Sequence, residues 1–478
     1  MDVDLILVIV GVVFVVLLLS ETPVAFTLAS SGALGILLLR NADIVSASLG
    51  DVPYSSTANY SLAIIPMYIL LGMFALHGRL AERVYAIASR VFGRLRGGLG
   101  LATVGACAGF AAVTGSSVAT AATIGRLSIG EMRKHGYPAP FAAGIVAAAG
   151  TLGVLIPPSV VLVFYGILAR ESIAQLLLAG ILPGVVSVIL YCIYIITRGQ
   201  SLVAAEQSRL SDALAVAGGT APRAVSPGID GTPNRDPAVH DQGPGDDVTA
   251  ELASQSNWAT IRAVLWIITI FMIILAGIYT GQFTVIESGA MGALAALVML
   301  VTETGRSGVS AVLHRIRESL LDSAGITSMA FAILIGASIF SSFLVMARVP
   351  MRFSEWIIAL DVPPLLVVII ILAALIPLGM ALETLSIIII TVPLIHPVVT
   401  GLGFDAVWFG ILFVKMIEIG LVTPPVGMNA YVVSGASGIP VETTFRGVMP
   451  FVGIDIITVA LLIAFPAITL WLPQVLGA

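Results

Sequence analysis

Charged residues are scarce in this chain, and their scarcity excludes most classes of protein. Only 10% of the 478 residues are charged, whereas 58% are hydrophobic. A water-soluble domain carries roughly 25% charged residues, so this chain could not cover a water-facing surface. The apolar runs are long and continuous, which disagrees with a transmembrane barrel built from strands of about ten alternating residues. The composition therefore predicts an all-α polytopic membrane protein.

Several chemical signatures are also missing. Both of the 2 cysteines lie in apolar segments, so no disulfide framework or cysteine metal site is indicated. No GxxxxGK[ST] loop, HExxH motif or nucleophile elbow occurs, so we expect neither ATP hydrolysis nor an enzyme. The net charge of −5 is carried by residues 201–251, with eight acids and three bases. We expect the lipid bilayer and no nucleic acid among the partners.

The chain divides into two halves with six apolar segments each. Residues 198–257, between the halves, are rich in Gly, Pro, Ser, Ala and Asp and predict a disordered linker. The halves are then 1–197 and 258–478. In each half the fourth segment is interrupted by small residues and the fifth by a Pro-Pro pair, at offsets of 264 and 267 residues. A near-constant offset indicates an internal repeat.

We expect the two repeats to insert in opposite orientations. If the fourth segment of each half is a re-entrant hairpin, 99–126 and 363–400, each half keeps five full crossings. Five is an odd number, so the second half inserts upside down. The loops on both sides of the first hairpin are basic, and the positive-inside rule places them, with the linker, in the cytoplasm. The sequence thus predicts an inverted repeat of five spans plus one re-entrant hairpin.

Residues 79–96 leave two interpretations open. Leu80, Val84, Ile87 and Val91 recur at helical spacing, with arginines between them. This pattern is typical of an amphipathic helix lying on the membrane surface, and equally of an ordinary connecting helix.

Helix breaks in the membrane point to a binding site. Inside the hydrocarbon every backbone polar group needs a partner, so a broken helix must line a cavity or be covered by protein. Each half has a small-residue break, at Gly115–Ser117 and at Gly379, and a Pro-Pro break. Small residues can also serve close helix packing. The repetition of both breaks favours a transporter site at the membrane midplane.

The residues at these breaks suit a small cation and an anion. Unwound carbonyls and Ser, Thr or Asn oxygens suit Na⁺ as hard ligands, and helix N-termini favour a carboxylate. Glu383 is either an ion ligand or a member of a polar network. Lys415 and Glu418 are three residues apart and are predicted to form an ion pair. The candidate residues for Na⁺ and substrate are Ser116, Ser117, Thr120, Pro157, Gly379, Glu383, Thr384, Thr423, Gly427 and Asn429.

Three stretches carry a family resemblance. GSSVATAATIG at 115–125, GVLIPPS at 153–159 and EIGLVTPPVGMN at 418–429 resemble the large permease subunit of tripartite ATP-independent periplasmic (TRAP) transporters. The resemblance extends over about residues 1–474, the linker excepted. The linker is longer than the family pattern, and Glu383 stands where many relatives have Asp.

The resemblance implies an elevator-type Na⁺ symporter in the bacterial inner membrane. It implies two partners, a small four-helix membrane subunit and a periplasmic binding protein that delivers a small organic acid such as a dicarboxylate. The family's Na⁺ ligands carry over to Ser116, Ser117, Thr423 and Gly427. We expect the hairpins and broken helices to move as one body against the other spans.

Two alternatives remain. A single-component Na⁺/carboxylate symporter would need no binding protein and would transport alone. A non-transporting membrane scaffold or sensor would depend on the linker, so uptake that survives deletion of 201–250 would argue against it.

Overall fold

The structure is a computed structural model that describes residues 2–93, 95, 97–216, 257–305, 308–352, 355 and 362–476. Throughout these ranges the regular structure is helical and contains no strand, which confirms the predicted fold class. The first half contains α1 Val3–Leu19, α2 Val24–Leu39, α3 Ala42–Thr57, a short 3₁₀ turn Tyr60–Ala63, α4 Ile64–His77, α5 Leu80–Phe92, α6 Gly98–Thr114, α7 Ser117–Lys134, α8 Ala139–Gly150, α9 Leu152–Leu155, α10 Val160–Ala169 and α11 Ile173–Val216. The second half contains α12 Asn257–Tyr279, α13 Val285–Thr304, α14 Val309–Met346, α15 Pro364–Ala381, α16 Thr384–Gly401, α17 Ala406–Val422, α18 Met428–Ser437, α19 Val441–Ala464 and α20 Ala467–Leu476.

The second part of each half has the same order of helices. Helix α6 begins at residue 98 and α15 at residue 364, an offset of 266; α11 begins at 173 and α19 at 441, an offset of 268. Between them each half has a hairpin and a broken helix, as the sequence offsets predict. The opposite orientation of the two halves across a membrane stays a prediction.

The hairpins are α6–α7 and α15–α16, each with a two-residue turn. Gly115 ends α6 with a φ of +59°, a left-handed conformation that costs glycine little. The first hairpin continues past the predicted end at 126 to Lys134. Arg133 and Lys134 lie in the last turn of α7, where positive charge stabilises the carboxyl end of a helix.

The predicted linker boundary was wrong. Helix α11 continues beyond residue 197 to Val216, because the stretch after the apolar span is rich in Ala and Leu, which are good helix formers. The rest of the predicted linker, 217–256, lies outside the described residues.

Six of the described helices are long and apolar enough to cross a membrane, and seven if a bent pair counts as one. The bent pair joins Ala139–Leu155 to Val160–Ala169 at an angle of 44° across the Pro157-Pro158 break. Other apolar helices are 10–17 residues long. Five crossings per half therefore stay a prediction.

The helices form two groups. We call α1–α4 and α12–α14, which come from the beginnings of the two halves, the scaffold helices. They pack against one another across the halves: α2 packs along α14, and α4 along α13. A Cβ on Gly32 would lie 2.7 Å from the Phe340 Cα, which shows how closely α2 and α14 approach. The core helices, α6–α11 and α15–α20, contain both hairpins and both broken helices.

Helix α5 packs on protein along one face, as a connecting helix does. Val84 is buried, and α5 lies along α6. Arg83 forms an ion pair with Glu303 of α13, whose side chain is 2% exposed, and Arg262 binds the same carboxylate at 2.6 Å. Val91 is 62% exposed. That the exposed face of α5, which includes Val91, lies on the membrane surface stays a prediction.

Replacing Gly447 with alanine should destabilise the core. Helices α8 and α19 cross so closely that a Cβ on Gly447 would overlap the Pro140 carbonyl oxygen. Overpacking of this kind costs about 1–3 kcal/mol. We expect a lower melting temperature of the purified protein in detergent. Gly453→Ala is the control in the same helix, because a Cβ there meets nothing within 4 Å; equal melting of both variants would contradict the close crossing.

Candidate functional site

A cavity of about 120 Å³ lies between the two hairpin tips. Four helices begin at its wall: α7 near Ser117, α10 at Val160, α16 near Thr384 and α18 at Met428. The first turn of an α-helix has backbone N–H groups without helical partners and carries partial positive charge. The convergence of four such ends makes the cavity suitable for an anion.

The first hairpin tip lies against the first broken helix. A Cβ on Gly115 would lie 2.6 Å from the Pro158 carbonyl oxygen, so only glycine fits this approach. Ser116 Oγ caps α7 by accepting a hydrogen bond from the Ala119 N–H at 3.3 Å. Thr120 Oγ1 donates to the Ser116 carbonyl at 2.7 Å. These contacts hold the tip in one conformation at the cavity wall.

The second hairpin tip brings a carboxylate to the same wall. Glu383 precedes α16, lines the cavity, and its Oε2 is buried without a hydrogen-bond partner in the described part of the chain. Buried polar atoms normally have partners. Thr384 donates from Oγ1 to Glu418 Oε1 at 3.5 Å. The unpartnered oxygen of Glu383 favours its interpretation as an ion ligand.

Four of the ten predicted site residues line the cavity. The four are Ser116, Ser117, Glu383 and Thr384. Thr120 is fully buried one turn behind the first tip, and Pro157 is buried in the first break, joined to Pro158 by a cis peptide bond.

Three further predicted residues belong to the second break. Thr423 ends α17, and its hydroxyl donates to the Ile419 carbonyl at 2.5 Å. Gly427 begins α18 with a φ of +49°. Asn429 is 0% exposed, and neither its amide nitrogen nor its amide oxygen has a partner among the described atoms. The second break therefore holds a buried amide without a hydrogen-bond partner among the described atoms.

Gly379 lies in the last turn of α15, directly before the second hairpin tip, and not in the turn itself. A Cβ on Gly420 of α17 would lie 2.6 Å from the Gly379 Cα, so these two glycines allow α15 and α17 to cross closely. The crossing brings the second tip against α17, two residues beyond Glu418.

The predicted pairing of Lys415 with Glu418 was wrong. Lys415 Nζ contacts Asp455 Oδ1 of α19 at 2.6 Å, and the Tyr191 hydroxyl donates to the same carboxylate at 2.7 Å. A neighbouring helix thus supplies a closer partner than the adjacent turn. Sequence reasoning missed Asp455, although a single acid in the apolar segment 447–474 was a visible signal.

Scaffold helices complete the cavity with apolar side chains. Ile69 and Met73 of α4 and Ile326 of α14 line it, opposite the hairpin tips. The cavity therefore lies at the boundary between scaffold and core helices. The sequence offered no signal for these three residues, since each is one apolar residue in an apolar helix.

Comparison with solved structures shows a shared fold. The chain superposes on the crystal structure of the YdaH transporter of Alcanivorax borkumensis with a TM-score of 0.61, at 13% identity, covering 93% of this chain and 97% of that one. At this identity the likeness concerns the fold alone.

Comparison of sequences shows the family. Residues 11–468 match the family model of the DctM component of tripartite ATP-independent periplasmic transporters. The C4-dicarboxylate TRAP transporter large permease protein DctM of Pseudomonas aeruginosa is 33% identical over 94% of both chains. The sialic acid TRAP transporter large permease protein SiaM of Vibrio cholerae is 28% identical over 96% of both. The chain is therefore a multi-pass membrane protein of the DctM family, the large permease component of TRAP transporters, which are transporters and not enzymes.

Proposed function

We propose that this chain is the permease of a Na⁺-coupled secondary transporter that imports a small organic acid of the C4-dicarboxylate class. One observation carries the proposal: four helix N-termini and the buried, unpartnered carboxylate oxygen of Glu383 meet at one cavity. The helix ends suit the acid, and the carboxylate suits the cation.

The anion site depends on backbone rather than on basic side chains. No Lys or Arg is found among the described residues that line the cavity. Each helix N-terminus carries about half a positive charge, so four of them can hold a carboxylate without a fixed cation. We assign the substrate class by similarity to two relatives that are described as C4-dicarboxylate permeases. They come from P. aeruginosa and V. cholerae and are 33% and 30% identical to this chain.

Na⁺ suits the hydroxyl oxygens and the Glu383 carboxylate that line part of an otherwise mostly apolar cavity. In the described ranges no group of three or more His, Cys, Asp or Glu could hold a metal ion, which disfavours a transition metal. Hydroxyl, carbonyl and amide oxygens remain as ligands. An anionic substrate would be repelled by Glu383 unless a cation lies beside it, and this repulsion would couple substrate binding to Na⁺ binding. The proposed ligand region comprises Ser116, Ser117, Thr120, Pro157, Gly379, Glu383, Thr384, Thr423, Gly427 and Asn429.

Transport would follow an elevator mechanism. The cavity lies where core helices meet scaffold helices, so a displacement of the core would carry the site from one side of the membrane to the other. The wall contributed by α4 and α14 is apolar, which suits a surface past which a loaded site slides.

We further propose the partners and the location. A periplasmic binding protein would deliver the acid, a small four-helix membrane subunit would complete the assembly, and the bacterial inner membrane would hold it. The family description names a three-part transporter of which this chain is one component.

Reconstitution with the two partners tests the proposal. In proteoliposomes we expect an inward Na⁺ gradient to drive uptake of labelled succinate, and little uptake when K⁺ replaces Na⁺. Uptake indifferent to the Na⁺ gradient would contradict the coupling. A parallel experiment with this chain alone tests the single-component alternative. We expect no uptake without the partners, and uptake by the chain alone would support that alternative.

A further inference from the structure

We infer that a second cavity, between α8, α11 and α19, binds the head group of a zwitterionic phospholipid that carries an ammonium group, such as a phosphatidylethanolamine. This cavity is separate from the one between the hairpin tips, because no described residue lines both. Binding of this kind is independent of the proposed transport, since it requires only that the chain spans a membrane.

The second cavity exists because α11 continues beyond its apolar span. Its volume is about 360 Å³. About 20 residues of a helix cross the hydrocarbon of a bilayer, so α11, which begins at residue 173, leaves it near Tyr194. Tyr194 lines the cavity, which therefore lies at the depth of lipid head groups. All three helices contribute to the wall, among them with Phe141, Leu202, Glu206 and Arg446.

The wall carries one acid and one base, which matches the two charges of a zwitterion. Glu206 belongs to α11 and Arg446 to α19. In the described part of the chain no ion pair joins the two side chains, and neither has another ion-pair partner. A guanidinium group binds phosphate, and a carboxylate binds an ammonium group. Glu206 also disfavours head groups with negative charge alone, because it repels them.

Two aromatic rings provide a further surface for the ammonium group. Phe141 and Tyr194 both line the cavity, and their ring centroids are 6.2 Å apart at an interplanar angle of 67°. A cation within about 6 Å of an aromatic face is attracted to the ring. The rings and Glu206 come from α8 and α11, so this side of the cavity favours the ammonium group, and Arg446 on α19 favours the phosphate.

An apolar face of α19 leads from Arg446 into the membrane. Pro450, Gly453 and Ile457 follow Arg446 after four, seven and eleven residues, so the four lie on one face of the helix. All three are exposed, and a Cβ on Gly453 would meet nothing within 4 Å. Residues 446 and 457 are separated by about 16 Å along the axis, roughly half the hydrocarbon thickness. This length fits an acyl chain of one leaflet, which favours a lipid over a soluble zwitterion.

Thermal stability of the purified full chain in the presence of defined lipids tests the site. After bound lipid is removed in detergent, we expect phosphatidylethanolamine to raise the melting temperature at lower concentrations than phosphatidylglycerol with the same acyl chains. Glycerophosphoethanolamine, the head group without acyl chains, should have no effect at those concentrations. Equal stabilisation by the two lipids, or stabilisation by the free head group that matches the lipid, would overturn the assignment.

Substitutions of Glu206 test the source of the preference. Glu206→Gln should raise the phosphatidylethanolamine concentration for half-maximal stabilisation about 3- to 5-fold, as expected for one ion pair at a partly exposed site. Glu206→Arg should reverse the preference, because the new side chain repels the ammonium group and attracts a head group with negative charge alone. A preference for phosphatidylethanolamine that survives in Glu206→Arg would contradict the proposed role of this residue.

Two further variants separate the acyl-chain face from the head-group site. Gly453→Phe places a large ring on the apolar face of α19 and should weaken stabilisation by both lipids alike; an unchanged lipid response would contradict the proposed path of the acyl chain. Glu442→Gln is the control, at an exposed glutamate in the first turn of α19 that does not line the cavity. Each variant is compared with its own melting temperature without lipid, so a loss of stability is distinguished from a loss of lipid binding.

Discussion

Lys415→Met should be the most destabilising single substitution considered for this protein. Lys415 and Asp455 are each 1% exposed and pair at 2.6 Å. The change leaves a buried carboxylate whose remaining partner among the described side chains is the Tyr191 hydroxyl. Removing one member of a buried ion pair costs about 3–5 kcal/mol. We expect a marked loss of folded protein after extraction and a lower melting temperature in detergent.

A double variant provides the control. Lys415→Met with Asp455→Leu removes both charges, and buried ion pairs are often replaced by apolar residues at little net cost. We therefore expect the double variant to melt closer to the wild type than the single variant does. The contacts would have to be reassigned if Lys415→Met alone melted like the wild type.

Glu383→Gln should have the largest effect on Na⁺ coupling. The variant keeps the shape of the side chain but removes the only carboxylate among the described residues that line the cavity. Loss of a charged hydrogen-bonding partner costs about 1.5–3 kcal/mol, which corresponds to roughly a 10- to 150-fold weaker affinity. We expect the Na⁺ concentration for half-maximal uptake to rise by this factor.

Two further variants serve as controls for this measurement. Glu383→Asp keeps the charge on a shorter side chain, so we expect it to retain most of the Na⁺ dependence. Glu21→Gln changes an exposed glutamate between α1 and α2 and should behave as the wild type. Unaltered Na⁺ activation in Glu383→Gln would assign Glu383 to a polar network instead of the ion site.

Local chemistry allowed much of the fold to be predicted from sequence. The hairpin turn at Gly115 and the break at Pro157-Pro158 were identified because glycine and proline act on the backbone at their own positions. The repeat was visible because its offset is preserved along the chain. The end of α11 was misplaced, since a polar segment of good helix formers resembles a linker in composition but can extend a helix.

The sequence by itself determined that the chain is a duplicated helical membrane protein with two broken segments per half, because hydropathy and backbone-breaking residues are local properties. Only the tertiary structure decided that Lys415 pairs with Asp455 and that Glu418 contacts Thr384 at the second hairpin tip. Those partners lie on different helices, and their distances depend on helix crossings such as that of Gly379 with Gly420. The convergence of four helix N-termini on one cavity has the same origin: each end is encoded locally, but the packing of both halves places them together.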